Sequence, residues 1–272
     1  MRIIKLHTCE KDTFGSRDAI VDGIVIHTTD TGALARKTVI RTENDFAYMK
    51  KIVDRAVKLP GLTQDQADYL LKNHIFIEAE ISDALRLCIQ AAGLPRKASW
   101  HYCIASRTTE FSCNRRFPWS LTSKKCEVDV VEFIDPVVNQ AHHVGDIGKR
   151  TNRRSIGIEC VYPGALSKKL SKNEAIIEYE NMRWEAPSLL QGPDKVKRWY
   201  APLSQESIEA LEDLCVDLIA KFPIYWIGSH FTFCKDRIDP DPPVDLSILR
   251  NNVFAKTNRK LNYKPTGPPK KT

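Results

Sequence analysis

Short apolar runs, set apart by polar stretches carrying Gly or Pro, organise this chain. Residues 22–29, Asp-Gly-Ile-Val-Ile-His-Thr-Thr, are β-branched and too short for a helix, and they predict a buried strand ending at His27. Residues 98–105 (Ala-Ser-Trp-His-Tyr-Cys-Ile-Ala), 128–134 (Val-Asp-Val-Val-Glu-Phe-Ile) and 155–161 (Ser-Ile-Gly-Ile-Glu-Cys-Val) predict three more strands. Glu159 falls near the far end of the last of these. A fifth run, Phe222 to Ile227, ends just before His230. Helical spacing marks 42–58, 62–92 and a segment capped by Ser204 with a stripe at Ile208, Leu211, Leu214, Cys215 and Leu218. The 62–92 pattern starts with Thr63 as cap and stops at Gly93-Leu94-Pro95, and Ile75-Phe76-Ile77 weakens its middle. Residues 106–127 read as polar loop, and 163–200, with no strong period, as an extended surface insertion. Strands interleaved with helices predict one α/β domain, a central mixed β-sheet flanked by helices, with a site at the strand ends.

The chemistry gathers at 228–243, Gly-Ser-His-Phe-Thr-Phe-Cys-Lys-Asp-Arg-Ile-Asp-Pro-Asp-Pro-Pro. Here a strand end presents an imidazole, and a loop stiffened by three prolines returns a carboxylate. Zinc accepts both ligand types. Three strand ends offer His27, Glu159 and His230, and the loop adds Asp239. Spacing alone does not bring them together: a strand histidine is commonly structural, and Asp239 before Pro240 could serve only as a turn initiator.

At 272 residues, 42% hydrophobic and 28% charged, the chain is long enough for a full core and has the composition of a soluble globular protein. No stretch reaches the ~18 apolar residues of a membrane span. Met1 to Lys5 is not followed by the long apolar region of a signal peptide, so the protein is expected to be made in the cytoplasm and to stay there unless lysis or a dedicated exporter releases it. Eight cysteines contain no C-x-x-C pair and read as reduced. The net charge is +7, but residues 255–272 hold six Lys or Arg and no acid, which leaves the body near +1. That tail predicts disorder and a weak attraction to anionic polymers. With a near-neutral body and no basic helical stripe, nucleic acid is disfavoured as a partner.

In order along the chain stand Ile24-Val25-Ile26-His27-Thr28-Thr29, Ser99-Trp100-His101-Tyr102, Ala141-His142-His143-Val144-Gly145, Asn152-x-x-Ser155-Ile156-Gly157-Ile158-Glu159 and Gly228-Ser229-His230…Arg237-Ile238-Asp239-Pro240. This series resembles the zinc-dependent N-acetylmuramoyl-L-alanine amidases, the superfamily shared with peptidoglycan recognition proteins. The resemblance covers about 22–30, 98–160 and 202–245. It implies an amidase domain over 1–254, enlarged at about 31–97 and 163–200, ahead of the basic tail. It further implies that His27, His230 and Asp239 bind Zn²⁺ and that Glu159 is the general base, with peptidoglycan or a muropeptide as substrate. Two imidazoles and one carboxylate leave a position for water, as catalytic zinc sites do. His143, Asn152 and Trp100 match positions near the family's substrate groove.

Two departures follow. The family usually has Lys two residues before the last ligand, where this chain has Arg237, which can steady an oxyanion but holds its proton. The His230–Asp239 loop is about one residue shorter than in common relatives, so Asp236 and Asp241 are rival ligands and Cys234 a weaker one. Competing readings are a non-catalytic peptidoglycan-binding protein of the same fold and another zinc hydrolase, although no His-Glu-x-x-His helix occurs. Phage lysin, secreted effector and recycling enzyme all fit the sequence, and it does not specify an oligomeric state.

Overall fold

Apolar runs without alternation become strands covered on both faces. The computed structural model describes residues 1–7, 16–30, 38–39, 43–58, 63–72, 80–92, 99–109, 127–144, 149–166, 168–171, 174–177, 182–185, 187–234, 237–240 and 242–262. In chain order these form β1 (Arg2–Lys5), β2 (Gly23–Asp30), β3 (Thr38–Val39), α1 (Glu43–Lys58), α2 (Gln64–Lys72), β4 (Glu80–Ile81) and α3 (Asp83–Ala92). Then come β5 (Tyr102–Thr109), β6 (Glu127–Glu132), α4 (Lys149–Arg154) and β7 (Ser155–Tyr162). Six short strands follow: β8 (Ala165–Leu166), β9 (Lys168–Lys169), β10 (Glu174–Ile177), β11 (Met182–Glu185), β12 (Ser188–Gln191) and β13 (Lys197–Tyr200). The chain continues through α5 (Gln205–Lys221), β14 (Trp226–Ser229), α6 (His230–Phe233) and α7 (Leu246–Thr257).

One sheet carries the order β1-β6-β5-β7-β2-β14. Its pairs are parallel except β5 with β6, so the sheet is mixed and flanked by helices, in a single domain. Ile24, Ile26, Ile156 and Ile158 are fully buried, each worth about 1.5–3 kcal/mol relative to exposure. On their face Cys160 lies beside Cys215 of α5. On the opposite face Cys103 lies beside Cys88 of α3. Along β2 and β7, Val25, His27, Gly157 and Glu159 share that second face, because side chains alternate and register partners in a sheet point the same way. Loop residue Val144 packs there with Val25 and Trp226.

The register sets the site. His27 stands opposite Glu159, and Ser229 opposite Ile26, so His230 follows one step on, level with His27. The start of β14 is locked: the Trp226 ring crosses Gly23 where a Cβ would lie 1.8 Å from it, and its indole N–H donates to Asp22 Oδ1 at 3.1 Å. Asp22 also pairs with Arg154 at the end of α4. These contacts hold β14, β2 and α4 in one frame.

Four expectations change. Strand β1 was not foreseen. The 62–92 pattern divides into α2 and α3 with β4 between them, and residues 73–79 lie outside the described residues. The 163–200 stretch builds two three-stranded antiparallel sheets, β11-β10-β9 and β12-β13-β8, the second packed on a cluster of Tyr162, Leu166, Tyr200 and Ala201. At the C-terminus ordered structure reaches into the segment expected to be disordered from 255: α7 runs to Thr257, and Asn262 forms a parallel bridge with Trp226 on the outer edge of β14. No helix among the described residues is long and apolar enough to cross a membrane.

Candidate metal centre

Each donor is placed by a different local device. His27 projects from the buried strand β2, opposite Glu159 of β7, and is 3% exposed. His230 opens α6, whose cap is reciprocal: Ser229 Oγ accepts from Thr232 N–H, and Thr232 Oγ1 accepts from Ser229 N–H. Asp239 returns on the proline loop, where its carbonyl accepts from Phe231 N–H at 3.2 Å.

The three donor atoms converge. His27 Nδ1 lies 3.2 Å from His230 Nδ1 and 3.0 Å from Asp239 Oδ2, and His230 Nδ1 lies 3.1 Å from the same oxygen. A tetrahedral zinc with ~2.0 Å bonds separates its ligand atoms by roughly 3.3 Å, so the triangle is the right size. Among the described residues this is the one group of three or more His, Cys, Asp or Glu so arranged. Asp236 and Asp241 lie outside the described residues. His230 and Asp239 keep 14% and 18% side-chain exposure, so the group opens to solvent on the side away from His27.

Electrostatics fit a cation-binding pocket. Burial lowers the His27 pKa against the pull of Asp239, which keeps the ring neutral and ready to ligate. Burial alone would raise Asp239, yet the facing imidazoles of His230 and His27 hold its carboxyl below the usual carboxylate range. Glu159, partly accessible at the register position beside His27, is pushed well above the ordinary range by burial and then by the charge of Asp239. A carboxyl raised in this way is a stronger base than an exposed one.

The remaining candidates scatter. Arg237 is exposed, two residues before Asp239. Trp100 is half-buried and stacks on Phe133 at 5.5 Å between ring centroids, with its indole N–H buried and without a partner among the described residues. His143 and Asn152, expected at a substrate groove, are 7% and 1% exposed. His143 touches His27 and Ser155. Asn152 Oδ1 accepts from the backbone N–H groups of His143 and Val144 at 3.2 and 3.0 Å. Sequence reasoning assigned no role to Ser155, Gly157 or Arg17. Arg17 donates to the carbonyls of Asn139, Arg153 and Ser155, beneath the same loop. Ser155 and Gly157 carried a signal in their fixed spacing from Asn152, whereas Arg17 carried none.

The profile of the N-acetylmuramoyl-L-alanine amidase family matches residues 17–242. Among solved structures, the Escherichia coli N-acetylmuramyl-L-alanine amidase AmiD, in complex with anhydro-N-acetylmuramic acid-L-Ala-D-γ-Glu-L-Lys, is 16% identical with a TM-score of 0.40; the match covers 87% of this chain and 59% of AmiD. A mutant endolysin from Bacillus subtilis is 10% identical over 92% of this chain and 97% of its own, with a TM-score of 0.42. PlyL is 14% identical over 96% and 99%, with a TM-score of 0.41. No curated protein matches the chain. By the family match, which takes in most of its length and every donor of the triangle, the chain belongs to the N-acetylmuramoyl-L-alanine amidase family.

Proposed function

We propose that this protein hydrolyses the amide bond between the lactyl group of N-acetylmuramic acid and L-alanine in peptidoglycan or its fragments. The observation that carries the reading is the triangle of His27 Nδ1, His230 Nδ1 and Asp239 Oδ2 with Glu159 in register beside it, in a chain of this family. Those three atoms would hold a Zn²⁺. When bound, the ion supplies Lewis acidity that makes a water acidic near neutral pH and polarises the scissile carbonyl.

The chain's own residues do the rest. Glu159 takes the proton of the attacking water and returns it to the leaving nitrogen of L-alanine, so an amine and a carboxylic acid, which then ionises to solvent, leave the site. Arg237, permanently charged, steadies the oxyanion from the open side. Trp100 is the aromatic candidate for lining the groove. The competing reading, a binding protein without turnover, is disfavoured because the donors and the base are all present.

The test is product chemistry. Purified protein with zinc should release new L-alanine amino termini from cell-wall sacculi. New reducing sugar ends would identify a glycosidase instead, and binding without product would identify a recognition module. Rates on soluble muropeptides against intact sacculi separate a recycling role from a lysin or exported effector.

A further inference from the structure

The described residues contain a second layer behind the donor triangle that the proposed chemistry does not use. We propose that His143 is a positioning residue that fixes the ring of His27 for metal binding, and that Asn152, Ser155 and Gly157 serve to seat His143. The inference rests on the metal reading given above.

Proton positions follow from hydrogen-bond directions. Ser155 Oγ donates to the Thr151 carbonyl at 2.7 Å, so its hydrogen is spoken for. Toward His143 Nε2, at 3.0 Å, the same oxygen can then only accept. His143 therefore carries its hydrogen on Nε2 and presents a bare Nδ1. That atom lies 3.1 Å from His27 Nε2 and accepts its N–H. His27 in turn has a bare Nδ1, and this is the atom that meets Asp239 and His230. A lone pair facing a carboxylate and a second imidazole is unfavourable until a cation stands between them. The hydroxyl of Ser155 thus selects, through two rings, the tautomer of His27 that binds metal. Metal-bound histidines commonly donate their second nitrogen to an outer partner, and here the partner is another imidazole.

The seat is built by one short motif. Asn152 fixes the loop by taking the N–H groups of His143 and Val144. Ser155 holds the ring edge. Gly157 leaves space for the ring: a Cβ there would stand 2.6 Å from His143 Cγ. The spacing Asn152-x-x-Ser155-x-Gly157-x-Glu159 is accordingly one device, with three members cradling His143 and the fourth facing the donors. The His27 and His143 rings meet edge-on, at 83° and 5.2 Å between centroids, a geometry such a bond allows.

The experiment uses the full chain, ¹⁵N-labelled at histidine, and the variants Ser155→Ala, His143→Phe and His27→Ala. Long-range ¹H–¹⁵N spectra of the metal-free protein read the tautomers directly, and chelator competition reads zinc affinity. The expected wild-type spectrum has His27 and His143 both protonated at Nε2. In Ser155→Ala, which removes a single oxygen, these signals should shift toward mixed tautomers, with zinc bound about 10-fold more weakly; His143→Phe should bind about 10–100-fold more weakly. A wild type that binds zinc, beside variants that bind it equally and keep the His27 tautomer, overturns this proposal and spares the metal reading. A wild type that takes up no zinc overturns both.

Discussion

His101 and His27 are both buried, at 0% and 3% exposure, and they flank the same ring, His143, at 6.0 and 5.2 Å between centroids. Their surroundings differ in one respect. His101 spends both nitrogens on the fold: Nδ1 accepts Gly157 N–H at 2.9 Å, and Nε2 meets Arg17 Nη2 at 2.8 Å and the Asn139 carbonyl at 3.3 Å. His27 gives the fold only Nε2 and turns Nδ1 toward Asp239 and His230. Burial and residue type therefore do not mark a ligand. What marks it is a nitrogen that folding leaves aimed at other donors.

The largest effect expected from this contrast is at His27. His27→Ala should abolish zinc retention, read by elemental analysis, and turnover with it; a variant that keeps its zinc would erase the distinction. Next comes Glu159→Ala, which should keep stoichiometric zinc while turnover on sacculi falls by about 10²–10⁴. An active variant would move the base elsewhere.

His101→Ala should behave in the opposite way. It leaves Gly157 N–H without its acceptor and opens a cavity, at a cost of about 2–4 kcal/mol in denaturant unfolding, with zinc stoichiometry unchanged. Loss of zinc at unchanged stability would place His101 with the ligands.

The smallest effect is in pH. Burial, aided by the charge of Arg17, holds His101 well below its ordinary value of 6.5. Above that value the ring is neutral in both folded and unfolded chains. Below it the unfolded chain gains a proton that the folded one refuses, so stability falls as pH drops from 6.5 through the folded pKa. The slope for one such group is at most ~1.4 kcal/mol per pH unit. Urea unfolding of metal-free protein at several pH values should show it, and His101→Phe should flatten the curve by about that amount.

Much of the frame was legible in the chain. The runs at 22–29, 128–134 and 155–161 became β2, β6 and β7 within a residue or two, since β-branched stretches of that length have few other uses. The stripe after Ser204 became α5, capped by that serine. Pairing was not legible: nothing local says that Glu159 and His27, far apart in sequence, share a register, because parallel neighbours leave no short-range signature. The small sheets at 165–200 were missed because strands of two to four residues are too short for alternation to show, and the Gly192 turn, with Lys195 in the left-handed region, lies among charges. Helix α7 was missed because Ser-Ile-Leu-Arg-Asn-Asn-Val-Phe mixes its faces, although Asp245 caps it by accepting from Ser247 and Ile248 N–H. The contacts of His143 were hidden because its ring partners, His27 and Ser155, come from two strands distant in sequence.

A last consequence concerns the outer margin of the sheet. Asn262 takes Ile227 N–H and gives its own N–H to Tyr225 carbonyl, both at 2.9 Å. One rung of the exposed ladder is thereby occupied by the protein itself, beside the strand that delivers His230. A sister molecule cannot lengthen the sheet at that rung, so this margin carries its own stopper against edge-to-edge stacking.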